Sequence, residues 1–248
     1  MTDVLVSEVF SAIQGEAAHV GRRQVFLRLS GCNIRCWYCD QPEALELRPG
    51  PCRIEQTPGR RDWRKESSPL PLDEVARAID RLWRMTPHHS VSVTGGEPLA
   101  QSGRLADLLE LLDGKRVHLE TNGTLVAGLR RVIDRVDEVS MDIKLASVDG
   151  QHVDRETQRR FLELAATRDV AVKIVIGRDT ERSELTEAVA MVATTAPRAA
   201  VFLQPVTPFG TVTAAPTPEQ VLEWQEVALS LHPDVRVVPQ THKLIGQL

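Results

Sequence analysis

Six short apolar runs recur along this chain, and between successive runs lie stretches whose apolar residues return at helical spacing. The runs are Arg23–Ser30 (RQVFLRLS), HSVSVT ending at Thr94, RVHLETN ending at Asn122, EVSMDIK ending at Lys144, VAVKIVI ending at Ile176 and AAVFLQP ending at Pro205. Helices are predicted from Leu72 onward (Val75, Ala76, Ile79, Leu82, Trp83), then at Gly103–Leu112, Leu125–Ile133, Arg155–Thr167, Ser183–Thr195 and Glu219–Leu231, the last leading to a short VRVV. Such alternation predicts a parallel sheet of right-handed βαβ units. Six strands are too few for a closed eightfold barrel. The expected fold class is therefore α/β, an open, partial parallel β/α barrel of about six strands. One domain over 1–248 is expected, and residues 41–71, rich in Pro, Arg and Gly, read as an insertion, a flap with a short strand or turn.

Nearly every predicted strand ends in polar residues or glycine: GCNIRCWYCD, TGGEP, ETNGT, SMDIK, LQPVT. Ligands bind at the carboxyl edge of parallel sheets and barrels, so these ends mark the functional face. A net charge of −4 over 248 residues argues against a direct nucleic-acid binder. The apolar runs are far shorter than the roughly 18–20 residues of a membrane span. No basic-then-apolar leader opens the sequence, so a cytoplasmic protein is expected.

Three of the four cysteines crowd into one loop as Cys32-x3-Cys36-x2-Cys39, while Cys52 stands apart. A disulfide framework spreads its cysteines over distant loops, so a bound metal is the better reading. Structural zinc normally takes four ligands and would need Cys52 or a histidine as the fourth. An iron–sulfur cubane on three thiolates leaves one iron open, which suits catalysis. The spacing favours the cluster and leaves zinc as the alternative. His19, His88, His89, His118, His152 and His232 read as structural or exposed, because no pair has ligand spacing.

The C-x3-C-x2-C loop, with Tyr38 before its last cysteine, resembles the signature of the radical S-adenosylmethionine superfamily. Gly95-Gly96-Glu97-Pro98, at the end of the next strand, resembles its glycine-rich element. More narrowly, the stretch Glu8 to Glu16 (EVFSAIQGE), FLRLSGCN, TGGEPL, ETNGT, LQPVT and PQTHKLIG resemble the 7-carboxy-7-deazaguanine synthase family. The resemblance implies a [4Fe–4S] cluster on Cys32, Cys36 and Cys39, with S-adenosylmethionine on its open iron as source of a 5′-deoxyadenosyl radical. The implied reaction contracts the ring of 6-carboxy-5,6,7,8-tetrahydropterin to 7-carboxy-7-deazaguanine, with loss of ammonia, in queuosine biosynthesis. Mg²⁺ at the substrate, a homodimer and an electron donor such as flavodoxin belong to the same expectation.

Carried over by position, the resemblance implies cofactor contacts at Tyr38, Asp40, Gly96, Glu97, Gln204 and Thr207. Ser140, Asp142 and Lys144 alternate on one strand and so share a face, leaving open which of them meets the cofactor. Substrate contacts are implied at Ile13, Gln14, Gly15, Glu16, Thr94, His242 with Lys243 beside it, and the terminal carboxylate of Leu248. Arg28 points opposite to Leu27 and Leu29; on an interior face its guanidinium would suit the substrate carboxylate. Glu120 and Asn122 either position the cofactor or close a turn. Two positions depart from the family. Ala17 stands where glycine is usual, harmless unless its φ is positive. Gln41 stands where a Thr or Ser hydroxyl would reach magnesium, so the metal would need the Gln41 carbonyl. Two other readings stay open here: a radical activase acting on a partner protein, and a non-catalytic zinc-binding α/β protein.

Overall fold

The computed structural model describes residues 3–247. The strands and helices run β1 (Asp3–Val4), β2 (Val6–Ile13), β3 (Arg23–Leu29), β4 (Gly50–Glu55), β5 (Trp63–Ser68), β6 (Leu70–Pro71), α1 (Leu72–Met85), β7 (Val91–Gly95), α2 (Ser102–Glu110) and β8 (Val117–Thr121). They continue with α3 (Val126–Val132), β9 (Glu138–Ile143), α4 (Ala146–Asp149), α5 (Arg155–Ala165), β10 (Asp169–Ile176), α6 (Arg182–Thr195), β11 (Ala200–Pro205), α7 (Pro218–Leu229), β12 (Val235–Val237) and α8 (Thr241–Leu244). Ten strands form one sheet in the order β12-β11-β10-β9-β8-β7-β3-β2-β4-β5. From β3 to β12 neighbours are parallel, as the βαβ pattern requires, and the sheet stays open. Among the described residues no helix is long and apolar enough to cross a membrane.

The period-2 alternation of the parallel strands separates two environments. Val25, Leu27 and Leu29 of β3, Met141 and Ile143 of β9, and Val172, Ile174 and Ile176 of β10 pack under the helices in the main core. The intervening residues form the inner face: Phe26 and Arg28, Ser140 and Asp142, Lys173 and Val175. That face closes at one side by a stack of Phe10 on Phe26, ring centroids 5.1 Å apart, with Trp63 edge-on to Phe10.

Two parts of the fold differ from the sequence reading. The chain before Arg23 holds a full strand, β2, antiparallel to β3. It lies between β3 and β4 and is buried on both faces, so Ser7, Glu8 and Ser11 obscured its pattern. The stretch expected to be an inserted flap carries two six-residue strands that extend the sheet, β4 parallel to β2 and β5 antiparallel to β4. Cys52 and Ile54 anchor this hairpin in the main core, and burial pushes the Cys52 thiol up to about 12.

Ala17 has φ +49, in the left-handed region, at the start of a 3-10 turn over Ala17–His19. That conformation costs a non-glycine residue roughly 1–2 kcal/mol. The methyl group is buried against Ala171 and Phe202, a gain of about 0.8 kcal/mol that offsets much of the cost. Ala17→Gly is therefore expected to change stability by less than about 1 kcal/mol in urea unfolding. Ala17→Val, branched at Cβ in the same conformation, is expected to lose about 2 kcal/mol or more. Equal midpoints for the two variants would refute this account of the turn.

Candidate active site

The carboxyl ends of the parallel strands surround one cleft. The cysteine loop closes it on one side, and the Ile13–Glu16 turn and α8 close it on another. Cys32, Cys36 and Cys39 line it, each partly exposed. The three cysteines form no set of ligand atoms mutually within 4.8 Å. Four thiolates on one tetrahedral zinc would stand about 3.8 Å apart, given Zn–S bonds of ~2.3 Å. The loop is too open for a single ion and leaves room for a multi-iron cluster. Burial raises Cys32 and pushes Cys36 up to about 11, so both are thiols at neutral pH until a metal displaces the proton.

The double glycine is explained by close approach. A Cβ on Gly96 would lie 2.5 Å from the Gly31 carbonyl oxygen and 2.8 Å from Cys32 Cβ. Any side chain there would push the cysteine loop away from the strand end. Glu97 differs from its expected role, because it is fully buried and does not line the cleft. Its carboxyl turns under the floor and accepts from Leu99 N (3.0 Å), Thr121 Oγ1 (2.8 Å) and Asn122 N (2.7 Å). Burial nevertheless pushes its pKa up to about 7. It ties the ends of β7 and β8 together, and Asn122 in turn donates to Asn33 of the cysteine loop at 2.9 Å.

A row of alternating charge crosses the floor. Lys173 contacts the Glu16 carboxylate and lies 3.1 Å from Asp142 Oδ1. Lys144 Nζ lies 2.9 Å from Asp142 Oδ2 and 3.3 Å from the Tyr38 hydroxyl. Burial would raise the Glu16 carboxyl, but Lys173 holds it below the ordinary value. Burial would lower both lysines, but Asp142 between them keeps them charged, above their ordinary values. Lys173 escaped the sequence reading. The available signal was a lysine interrupting an apolar strand, and it stands in register with Asp142.

The remaining expected residues gather in the same cleft. Ile13, Gly15, Arg28, Gln41, Thr94, Ser140, Thr207 and His242 all line it. Arg28 Nε donates to Glu8 Oε2 at 2.9 Å and its guanidinium lies over the Phe10 ring. Gln14 also lines the cleft, with its side-chain amide fully engaged within the protein. It donates to Gln24 and Glu120 and accepts from Gly15 N and Glu16 N. Glu120 lines the cleft and accepts from Gln14 and Ser92, and burial raises its pKa. Gln204 lines the wall with a buried Oε1 that has no partner among the described residues, an acceptor left for a ligand. Asp40 is tied to the C-terminal segment by Lys243 at 2.7 Å and Gln240 at 3.4 Å, and Lys243 holds its carboxyl low against the opposing effect of burial. His242 packs against Gly15, where a Cβ would fall 2.2 Å from His242 Nδ1. The expected contact of Leu248 lies outside the described residues.

Residues 27–190 match the family model for the Radical SAM superfamily. A 7-carboxy-7-deazaguanine synthase of Geobacter sulfurreducens is 44% identical over 246 residues, covering 98% of this chain and 97% of that protein. Another, of Methanothermobacter thermautotrophicus, is 33% identical over 261 residues, covering 97% and 96%. In fold, the chain superposes on the crystal structure of QueE from Escherichia coli with a TM-score of 0.61 at 20% identity, covering 96% of this chain and 94% of that one.

Lys173 neutralises two carboxylates that have little water around them. Removing one partner of a buried ionic network costs roughly 3–5 kcal/mol, because the remaining charge is left uncompensated. Lys173→Met is expected to lose stability in that range at pH 7. Part should return as pH falls and Glu16, no longer held low by Lys173, takes up a proton. A variant as stable as the wild type at pH 7 would show that the row is solvated.

Proposed function

The chain belongs to the radical SAM superfamily and, within it, to the 7-carboxy-7-deazaguanine synthase family, and from that membership we propose how its cleft is used. It is a ring-contracting carbon–nitrogen lyase that converts 6-carboxy-5,6,7,8-tetrahydropterin to 7-carboxy-7-deazaguanine with loss of ammonia, in deazapurine biosynthesis. The observation that carries the assignment of roles is the convergence on one cleft of the three cysteines, the charged row and the Gln204 acceptor, which has no partner among the described residues. When bound, the cluster and S-adenosylmethionine supply one-electron reduction and hydrogen-atom abstraction.

Cys32, Cys36 and Cys39 hold the cluster. The backbone at Gly96, the Gln204 carbonyl and the Tyr38–Lys144 side receive the cofactor, whose ammonium group needs acceptors and whose carboxylate needs a cation. Ser140 and Thr207 complete that wall, while Asp142 spends both oxygens on lysines and acts by positioning Lys144. Glu16, kept ionised by Lys173, accepts from the guanidine-like edge of the pterin. Arg28 meets the substrate carboxylate, with Thr94 and His242 bounding the ring. Enclosure by α8 and the Ile13–Glu16 turn keeps water from reactive intermediates. Gln41, whose amide makes no hydrogen bond among the described residues, offers its carbonyl to Mg²⁺, which takes oxygen ligands and keeps several waters.

The test is anaerobic turnover of 6-carboxytetrahydropterin by the reconstituted protein with S-adenosylmethionine and reduced flavodoxin. Formation of 7-carboxy-7-deazaguanine and ammonia is expected, slowed by chelation and restored by Mg²⁺. Wild-type turnover indifferent to chelation, beside a Gln41→Thr variant that requires Mg²⁺, would mean that the Gln41 amide replaces the ion. A protein of this family working in the cytoplasm would draw its electrons from a small carrier such as flavodoxin.

The protein is also proposed to act as a homodimer, since β12 and β5 end the sheet without a further strand among the described residues. Light scattering at micromolar concentration should return twice the 27.5 kDa chain mass. A monomer mass would reject the dimer.

A further inference from the structure

The inner face has a second end. Opposite the cleft, at the amino ends of the parallel strands, His19, His89 and Glu138 bring one potential ligand atom each to within 4.8 Å of one another. His19 comes from the turn that follows Glu16, His89 precedes β7 and Glu138 opens β9. No sequence spacing links the three, and from sequence His19 and His89 read as structural or exposed. We propose that His19, His89 and Glu138 form a divalent-metal site, selective for Zn²⁺, that pins the Ala17–His19 turn to the rim of the sheet.

The surroundings suit an ion. His19 Nε2 lies 3.2 Å from Glu138 Oε2, and that carboxylate oxygen is buried and accepts no hydrogen bond among the described residues. A buried bare oxygen of this kind calls for an ion or water. His89 Nδ1 lies 3.1 Å from Ser90 Oγ; with that N–H donating to the hydroxyl, the Nε2 lone pair is free to ligate. Burial holds His89 below the ordinary histidine value, so it is neutral and ligand-competent at pH 7. His118 packs edge-on against His19 with ring centroids 4.6 Å apart. Its nitrogens are engaged by Ser140 Oγ at 2.8 Å and Gln24 Nε2 at 3.3 Å, so it backs the site without entering it. Arg22 and Arg116 are the cations beside His89. Arg116 holds the carboxylate. It takes the other Glu138 oxygen at 3.1 Å and also reaches Asp169, leaving Oε2 to the metal.

Two imidazoles and one carboxylate form a nitrogen–oxygen donor set suited to zinc with a water in the fourth position. The ion would hold a segment with a strained start, Ala17 at φ +49, the residue next to Glu16 in the cleft. His118 links the site to Ser140, which lines the cleft. The site is distinct from the cysteine loop in position and in donor chemistry.

The test uses the full-length protein with its cluster reconstituted, dialysed against Zn²⁺ and desalted. Metal analysis and zinc K-edge absorption fine structure read the content and the neighbouring atoms. One zinc per chain is expected, with nitrogen and oxygen neighbours at about 2.0–2.1 Å and imidazole scattering. His19→Gln and His89→Gln should each lose the zinc while keeping the wild-type iron content. Zinc should raise the melting temperature of the wild type and leave both variants unmoved. Sulfur neighbours at about 2.3 Å, which would put the zinc on cysteines, overturn the proposal. So does zinc retained by both variants, or no zinc held by the wild type. Should either variant fail to fold, the wild-type content and fine structure decide alone.

Discussion

Lys173, placed between Glu16 and Asp142, is the contact on which the arrangement of the cleft depends. A lysine in the middle of a parallel sheet is expensive to bury, and so is each carboxylate. Together they form a row in which every charge has an opposite neighbour, from Glu16 through Lys173 and Asp142 to Lys144. The row joins the N-terminal turn to β10, β10 to β9, and β9 to Tyr38 of the cysteine loop. Its members have few alternative partners, so the groups that face substrate and cofactor are held at fixed positions before either arrives.

The C-terminal segment repeats the principle at the mouth of the cleft. Gln240 donates to Glu16 at 2.8 Å, and Lys243 holds Asp40, the residue following the last cysteine of the loop. Thr241 N donates to the Gly15 carbonyl at 3.0 Å. A short helix near the end of the chain thereby braces both walls. Close backbone approach does the rest: Gly96 admits the cysteine loop, and Gly15 admits His242. Neither contact would survive a methyl group without moving the segment it supports.

The two ends of the inner face carry different chemistry for a simple reason. Carboxyl ends of parallel strands run into loops that must hold ligands, so they bear glycine, charge and thiols. The amino ends gather His89, His118 and Glu138, whose hydrogen-bond and ionic partners are Ser90, Ser140 with Gln24, and Arg116. His118, which burial pushes down to about 3, stays neutral and bonds Ser140, linking the lower layer to the floor of the cleft.

Much of this protein was legible in the order of its residues. The βα alternation is local, since each strand and helix writes its period into a few neighbouring side chains, and the parallel sheet follows from the handedness of the connections. The three cysteines and the double glycine were legible because the chemistry they serve needs them close together in the chain. Strand β2 was hidden because burial on both faces removes the alternation that a half-exposed strand displays. The 41–71 hairpin was hidden because its pairing partner, β2, lies some forty residues upstream in the sequence. Only the tertiary structure decided that Glu97 turns inward, that Gln14 is spent on the wall, and that Lys173 stands between two carboxylates. It alone brought His19, His89 and Glu138 together. Those outcomes depend on distances between strands, which are set by packing across the whole sheet and leave no mark on local spacing.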